Sequence, residues 1–243
     1  MTDDLVRQMV GVARALLDVL DGEGRRRLHR PFADEDLRRG WNYVPGEREG
    51  LSFDDLERPQ RKAVHRLLAS GLAPHAYAQA AVIMALEDVL DQQEGERRNR
   101  HRSDYSTLVF GEPDEEGPWG WRFEGHHVSL NVTIVDGRLS ATPSFLGANP
   151  AAVRYAGAAV VRPLAQEEDL ARALVTSLEP AALASAVVAN QAPEDIRTTT
   201  RPRVDGALEP RGVAAAELRG TPADLLEQLV MLYVERLPRP LAV

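Results

Sequence analysis

The stretch from Trp119 to Val135, WGWRFEGHHVSLNVTIV, constrains the fold of this chain more than any other segment. From His126 to Val135 apolar and polar residues alternate, which is the pattern of a β-strand with one face in the core. Asp136-Gly137 follows at once, and Asp-Gly between alternating runs is a strong signal for a tight hairpin turn. The stretch therefore predicts antiparallel strands joined by short turns.

The flanking segments extend this hairpin into a meander. The run YSTLVFG from Tyr105 is rich in strand-forming residues, WGWRFEG is a second short strand, and RLSATPSFLGA returns after the hairpin turn. Pro143 in the last run indicates an edge strand or a bulge, because proline cannot donate a ladder hydrogen bond. We predict an antiparallel meander of about four strands within residues 104–148.

Helical patterns lie on both sides of the predicted sheet. Apolar residues recur there at intervals of three and four residues. The predicted helices span residues 3–20, 54–69, 74–92, 166–178, 181–189 and 221–237. Helices, then antiparallel strands, then helices is the order of an α+β protein and argues against a parallel, doubly wound sheet. We predict a single α+β domain over residues 1–243, with helical parts at 1–95 and 164–238 and the antiparallel sheet at 104–148.

Two other segments are predicted as connectors. The first contains the loop GWNYVPGEREG. Either Trp41 and Tyr43 of this loop pack on the core, or Trp41, Asn42 and Arg48 form one wall of a cleft. The second, QQEGERRNRHRS at residues 92–103, is highly charged and nearly free of apolar residues, so an exposed connector is expected.

Adjacent histidines mark the candidate site. In a continuous strand their side chains point to opposite faces, which places His126 at the head of the apolar face and His127 in a polar row with Ser129 and Asn131, at intervals of about 6.6–7 Å. His126 is then expected at the edge of the core with its ring nitrogens hydrogen-bonded. Neighbouring strand residues do not normally bind one metal ion unless a bulge intervenes, which Gly125 would permit.

Carboxylates and a guanidinium group complete the candidate set. Glu87 and Asp88 interrupt the apolar face of the third predicted helix, and successive helical residues point about 100° apart. Only one of these acids can therefore lie in the middle of that face, where it could orient an imidazole or act as a base. In the alternative, both acids lie at the solvent edge and neither has such a role. Arg122 and Glu124 share a face of the preceding strand, and either could approach His127 across the sheet.

Composition excludes several function classes. The formal net charge is −8, so the summed field repels polyanions, and neither nucleic acid nor a membrane surface is an expected partner. The chain has no cysteine, so any metal must bind to His, Asp or Glu. The N-terminus lacks a signal-peptide pattern and no run approaches about 20 apolar residues, which predicts a cytoplasmic protein. The sequence also lacks the signatures of phosphate-binding loops, α/β-hydrolases and HExxH zinc proteases.

Four longer motifs resemble a known family. WNYVPGEREGL, IMALEDVL, GPWGWRFEGHHVSLNVTIVDG and ATPSFLGANPA occur in the order typical of DUF3500, a family of uncharacterised bacterial proteins, and the resemblance covers most of the chain. It implies no established activity. It also implies a C-terminal segment with a His-x-His motif near an Asp-Asn pair, which is not seen before Val243. If that segment completes a metal site, this chain is expected to be metal-free or to receive ligands from a partner or a bound molecule.

Two function classes remain open. In the first, the protein is a metal-assisted oxidoreductase or hydrolase acting on a small molecule or peptide in a cleft on the sheet. His127 would be a metal ligand or general base, Glu87 or Glu124 its orienting carboxylate, and His126 a second ligand of a divalent ion. The residues expected to hold the substrate are Arg122, Ser129, Asn131, Trp41 and Trp121. In the second class, the protein binds a small ligand or serves a structural role without turnover. The sequence leaves self-association as a homo-oligomer open.

Overall fold

The computed structural model of the chain describes residues 2–98 and 100–242. The chain divides into two compact units, Met1–Pro163 with Arg236–Val243, and Leu164–Glu235. All candidate site residues belong to the first unit. The interpretation as a single domain stays a prediction.

The first unit contains five α-helices within the described residues. They are α1 (Thr2–Asp18), α2 (Gly22–Leu28), α3 (Glu35–Arg39), α4 (Arg58–Ser70) and α5 (Pro74–Gln93). The positions of α1, α4 and α5 agree with the prediction. The short helices α2 and α3 lie outside the predicted helices. Each begins at an aspartate cap, with the Gly24 N–H donating to Asp21 and the Leu37 N–H to Asp34. Neither is long enough to show a clear apolar period.

The strands form a mixed sheet that confirms the α+β class. They are β1 (His29–Arg30), β2 (Leu51–Ser52), β3 (Tyr105–Phe110), β4 (Trp119–Gly125), β5 (Val128–Val135), β6 (Arg138–Ser140) and β7 (Ser144–Leu146). Their order is β1-β3-β4-β5-β6, with β2 paired to β3 and β7 to β5. β1 runs parallel to β3, and the other pairs are antiparallel. The predicted meander is present, but its last strand is interrupted, because the segment after the hairpin turn forms β6 and β7, which both pair with β5.

The hairpin turn between β5 and β6 is confirmed. Val135 pairs with Arg138, which leaves Asp136 and Gly137 as the two turn residues. Their φ angles are 51° and 66°, the left-handed values that a two-residue hairpin of this kind requires and that Asp-Gly supplies at low cost.

A second two-residue turn shows that the predicted strand register at the histidines is wrong. Gly125 pairs with Val128, so His126 and His127 form the turn between β4 and β5 and are not the start of a strand. His127 has a φ of 62°, a left-handed conformation that histidine adopts more readily than most residues. The alternation of a strand therefore does not place the two imidazoles on opposite faces of the sheet.

The two faces of the central strands differ in polarity. Arg122 is paired with Asn131, and Glu124 with Ser129, so these four residues share one face, as the alternation predicts. Trp121 lies on the other face with its partner Val132 and is 1% exposed. The core therefore occupies the Trp121 face, where the turn after α4 packs on the indole ring.

The remaining elements lie after the sheet. β8 (Val153–Tyr155) and β9 (Ala158–Val161) pair as a separate hairpin in the first unit. The second unit contains α6 (Ala165–Thr176), α7 (Pro180–Ala186), a short 3-10 turn (Ala215–Glu217) and α8 (Thr221–Val234). The three α-helices agree with the predicted positions. None of the helices within the described ranges combines the length and apolar content needed to cross a membrane.

Candidate metal centre and polar cavity

Glu87 is the inward-facing acid of α5. Its side chain is 3% exposed, whereas that of Asp88 is 28% exposed and pairs with Arg102. A carboxylate oxygen of Glu87 lies 2.5 Å from the Nδ1 atom of His126. Glu87 thus joins α5 to the turn between β4 and β5.

Three hydrogen bonds fix the turn formed by His126 and His127. The Tyr105 hydroxyl donates to the His126 carbonyl at 2.8 Å, and the His127 N–H donates to the Tyr43 carbonyl at 2.9 Å. The Gly147 N–H donates to the His127 carbonyl at 2.8 Å. These bonds fix the backbone so that the two imidazole rings stack, with centroids 3.7 Å apart and planes inclined by 29°.

Glu87, His126 and His127 together form a candidate metal centre. One potential ligand atom from each lies within 4.8 Å of those of the other two. Burial, with smaller contributions from the neighbouring His126 and Arg100, lowers the pKa of His127 to about 4. His127 is therefore neutral near pH 7, and the neutral imidazole is the form that binds metals.

Arg100 is a site residue that the sequence interpretation missed. The segment at residues 92–103 was expected to be exposed, but the Arg100 side chain is only 7% exposed. Its Nη1 atom lies 3.8 Å from Glu87 and 3.4 Å from His126 Nδ1, and its Nε donates to Glu94 at 2.8 Å. The prediction of exposure fails here because buried and half-buried carboxylates compensate the guanidinium, which no local pattern of the charged run reveals.

Glu124 belongs to a second charged cluster on the polar face. Its Oε1 atom lies 3.4 Å from Arg122 Nε and 3.9 Å from Arg48 Nε, and its Oε2 atom accepts the Asn42 N–H at 2.9 Å. Arg122 also donates to two carbonyl oxygens, those of Leu37 and Gly40. Within the described residues, none of the hydrogen bonds or ion pairs of Glu124 goes to an imidazole. This cluster anchors the segment that precedes β2 to the sheet.

The other expected substrate-binding residues are packed in the interior. Asn131 donates from Nδ2 to Ser129 Oγ at 3.2 Å and to the Pro143 carbonyl at 3.1 Å. Trp41 packs against Tyr43 and Phe145, with ring centroids 5.3 and 6.3 Å apart. Trp121 lies on the opposite sheet face from Ser129 and Asn131. Their role in substrate binding stays a prediction.

A cavity of ≈ 680 Å³, lined mostly by charged and polar residues, opens beside the candidate centre. Glu87 and His126 form part of its wall, and Ser52 and Ser106, which are paired across β2 and β3, form another part. The remaining lining residues are Pro45, Gly46, Glu47, Arg48, Arg98, Arg100, Asp104 and Tyr105. Of the residues in the predicted cleft wall, Arg48 is the one that lines this cavity.

Comparison with known proteins assigns the chain to a family of unknown function. Neither the curated proteins nor the solved structures that were compared gave a match. The profile of a family described as "Protein of unknown function (DUF3500)" matches residues 2–243. The resemblance in the four sequence motifs is thereby confirmed, and the chain belongs to the DUF3500 family.

Proposed function

We propose that the protein is a metal-assisted enzyme, an oxidoreductase or hydrolase acting on a small molecule or peptide, with a divalent cation bound by Glu87, His126 and His127. The observation that carries the proposal is the convergence of these three side chains within 4.8 Å, two of which, Glu87 and His126, line a cavity. A chance cluster of exposed acidic side chains is common, whereas a cluster with buried ionisable members is rare. Two members of this cluster, Glu87 and His126, are buried.

The donor set matches known preferences of catalytic cations. Two imidazole nitrogens and one carboxylate oxygen suit Zn²⁺, Fe²⁺ and similar ions, and three protein ligands leave a position for water or substrate. When bound, the cation would supply Lewis acidity or, if redox-active, an electron-transfer centre. The ligand atoms of a zinc ion at about 2.0–2.2 Å lie closer together than 4.8 Å, so a small side-chain rotation would complete the site.

The side chains around the proposed metal site would have different roles. Glu87 contributes the negative charge that a cation requires, and Arg100, with its Nη1 atom 3.8 Å away, orients that carboxylate. Tyr105 holds the His126 carbonyl and thus the ring position. The cavity volume falls in the range of small-ligand pockets, about 300–1,000 Å³, which favours a small molecule or a peptide end as the substrate.

A non-catalytic role is the alternative, and one observation favours it. The carboxylate of Glu87 already has two partners, His126 Nδ1 and Arg100, so the cluster is electrostatically satisfied without a cation. In that case Glu87 and His126 would form a structural link between α5 and the sheet, and the cavity would bind a ligand without turnover.

Metal content decides between the two. The full-length protein is loaded with Zn²⁺, Fe²⁺ or Mn²⁺, dialysed and analysed for bound metal, together with H126A, H127A and E87A. We expect about one ion per chain in the wild type and none in the variants. His75→Ala is the matched control, since His75 is exposed at the first turn of α5, and it should retain the metal of the wild type.

Thermal unfolding provides a second measurement. A cation at 100 times its Kd would stabilise the wild type by about 2.7 kcal/mol and leave the three ligand variants unchanged. A metal-free wild type whose melting temperature does not respond to any of the added cations would sink the metal proposal and leave the non-catalytic role.

A further inference from the structure

Arg48 is a buried cation with an incomplete set of partners. Its side chain is 6% exposed, and its Nη atoms donate to the carbonyl oxygens of Gly46 and Val44. Its Nε atom is buried and makes no hydrogen bond within the described residues. The nearest carboxylate oxygen, on Glu124, lies 3.9 Å away and is closer to Arg122. Burial outweighs this attraction and lowers the pKa of Arg48, as expected for an incompletely compensated charge.

The charges around the candidate centre balance only without a cation. Two clusters of buried and half-buried side chains contain three guanidinium groups and three carboxylates, so that their formal charges cancel. They are Arg48, Arg100, Arg122, Glu87, Glu94 and Glu124. A divalent ion at the proposed centre would add two positive charges next to this largely buried set. Uncompensated charge is costly in such surroundings, so a bound anion would be favoured.

The cavity offers cationic groups at two depths. Arg48 and Arg100 lie in its inner wall, and Arg98, whose side chain is 65% exposed, lies at the rim. The acids Glu47 and Asp104 also line the rim, but both are exposed, where water and salt screen their charge. The inner part therefore presents Arg48, Arg100 and the cation together with one carboxylate, Glu87, which is already paired with Arg100 and His126.

We propose that this cavity binds a small oxyanion, the carboxylate or phosphate group of the substrate, through Arg48, Arg98 and Arg100. The assignment to the substrate rests on the proposed function, whereas anion binding by the arginines is testable with or without metal. Guanidinium groups match carboxylate and phosphate oxygens in geometry as well as charge. The substrate would accordingly be an organic acid or phosphate ester, or a peptide bound by its terminal carboxylate.

The test compares anions with a neutral analogue. Binding of succinate, inorganic phosphate and succinamide to the full-length protein is measured by calorimetry at constant ionic strength, in Zn²⁺-loaded and chelator-treated samples. We expect succinate or phosphate to bind and succinamide not to bind. Phosphate and succinate distinguish the two sources of the oxyanion. In R48Q the Kd should rise about tenfold, since one charged hydrogen-bonding partner is lost.

Two further variants keep the result decisive. R98Q changes an exposed side chain, so it should fold even if R48Q does not, and its Kd should also rise. Arg138→Gln at the exposed start of β6 should leave the Kd unchanged. Binding of succinamide as tight as that of succinate, or anion binding that is unaltered in R98Q and R48Q, would overturn the oxyanion site.

Metal analysis of the same samples separates the two proposals. Anion binding through the arginines in a protein that takes up no metal would reject the metal-assisted enzyme and support the oxyanion site. Bound metal without anion binding would reject the oxyanion site and support the metal centre.

Discussion

At the scale of single residues, burial distinguishes two neighbouring carboxylates of α5. Glu87 is enclosed and contacts His126 and Arg100, whereas Asp88 pairs with Arg102 near the solvent. An ion pair near the surface contributes little, because water screens it and two long side chains lose freedom. A buried carboxylate cannot be removed without leaving its partners desolvated and unpaired.

Substitution of these two residues by their amides tests that difference. In the metal-free protein, E87Q should lower the free energy of unfolding by about 1.5–3 kcal/mol, the contribution of a hydrogen bond to a charged group. D88N, the adjacent control, should cost at most about 1 kcal/mol. Urea unfolding in the presence of a chelator measures both. Equal losses in the two variants would contradict a special role for the buried carboxylate.

The sequence reveals one of these contacts and hides the other. Glu87 was a candidate because an acid in an apolar helical stripe is unusual, and that signal is local. Arg100 lies in a run of charged residues whose composition favours exposure. Its burial depends on Glu87 and Glu94, which are brought to it by the folded chain. No periodicity in residues 92–103 could indicate this.

At the scale of elements, two tight turns show where prediction from sequence works and where it fails. Asp136-Gly137 was predicted because both residue types tolerate a positive φ. The turn at His126-His127 has no glycine, asparagine or aspartate at its centre, so the alternating pattern was extended through it. Its conformation depends on contacts with Tyr43, Tyr105 and Gly147, which lie far along the chain.

Gly125 is the position where this turn is most sensitive. A Cβ atom there would lie 2.2 Å from Tyr105 Cδ1 and 2.7 Å from the Asp104 carbonyl oxygen. G125A should displace the Tyr105 ring that binds the His126 carbonyl, and we expect a loss of about 1–3 kcal/mol in the free energy of unfolding. Bound Zn²⁺ should be lost or weakened in parallel, because the imidazole positions depend on this turn.

Gly11 provides the control for this substitution. It is an exposed residue of α1, and a Cβ atom added there would meet no described atom within 4 Å beyond its own helix backbone and chain neighbours. G11A should therefore be neutral or stabilise the protein by up to about 1 kcal/mol. Denaturant unfolding and metal titration of both variants give the comparison. A fully stable G125A with unchanged Zn²⁺ affinity would show that the turn does not position the centre.

At the scale of the whole molecule, the order of elements was predictable and part of the sheet was not. Helix positions follow from apolar periodicity, and the meander from β3 to β7 follows from alternation and turn residues. β1 and β2 have two residues each and pair with β3, which is distant in sequence. Pairs so short carry no pattern, and their place in the sheet is decided by tertiary contacts. The same holds for the cavity, whose wall includes Ser52 of β2.

The arrangement in two units leads to a prediction about proteolysis. Residues 187–214 contain no helix or strand and are largely exposed, and Arg197, Arg203 and Arg211 lie there as trypsin sites. Segments of this kind open locally at low cost, whereas buried arginines such as Arg100 and Arg122 require unfolding of the first unit. Brief trypsin treatment should therefore cleave first within residues 187–214.

Cleavage at these arginines should spare the metal centre, because Glu87, His126 and His127 all lie within the first unit. Mass spectrometry of the fragments and metal analysis of the fragment that contains residues 2–163 provide the measurement, with uncut protein as the control. We expect the same amount of bound Zn²⁺ per chain before and after cleavage. Loss of the metal on cleavage would mean that the centre depends on the part of the chain after the cut, which includes Arg236–Val243 of the first unit, and the three-residue ligand set would then be incomplete.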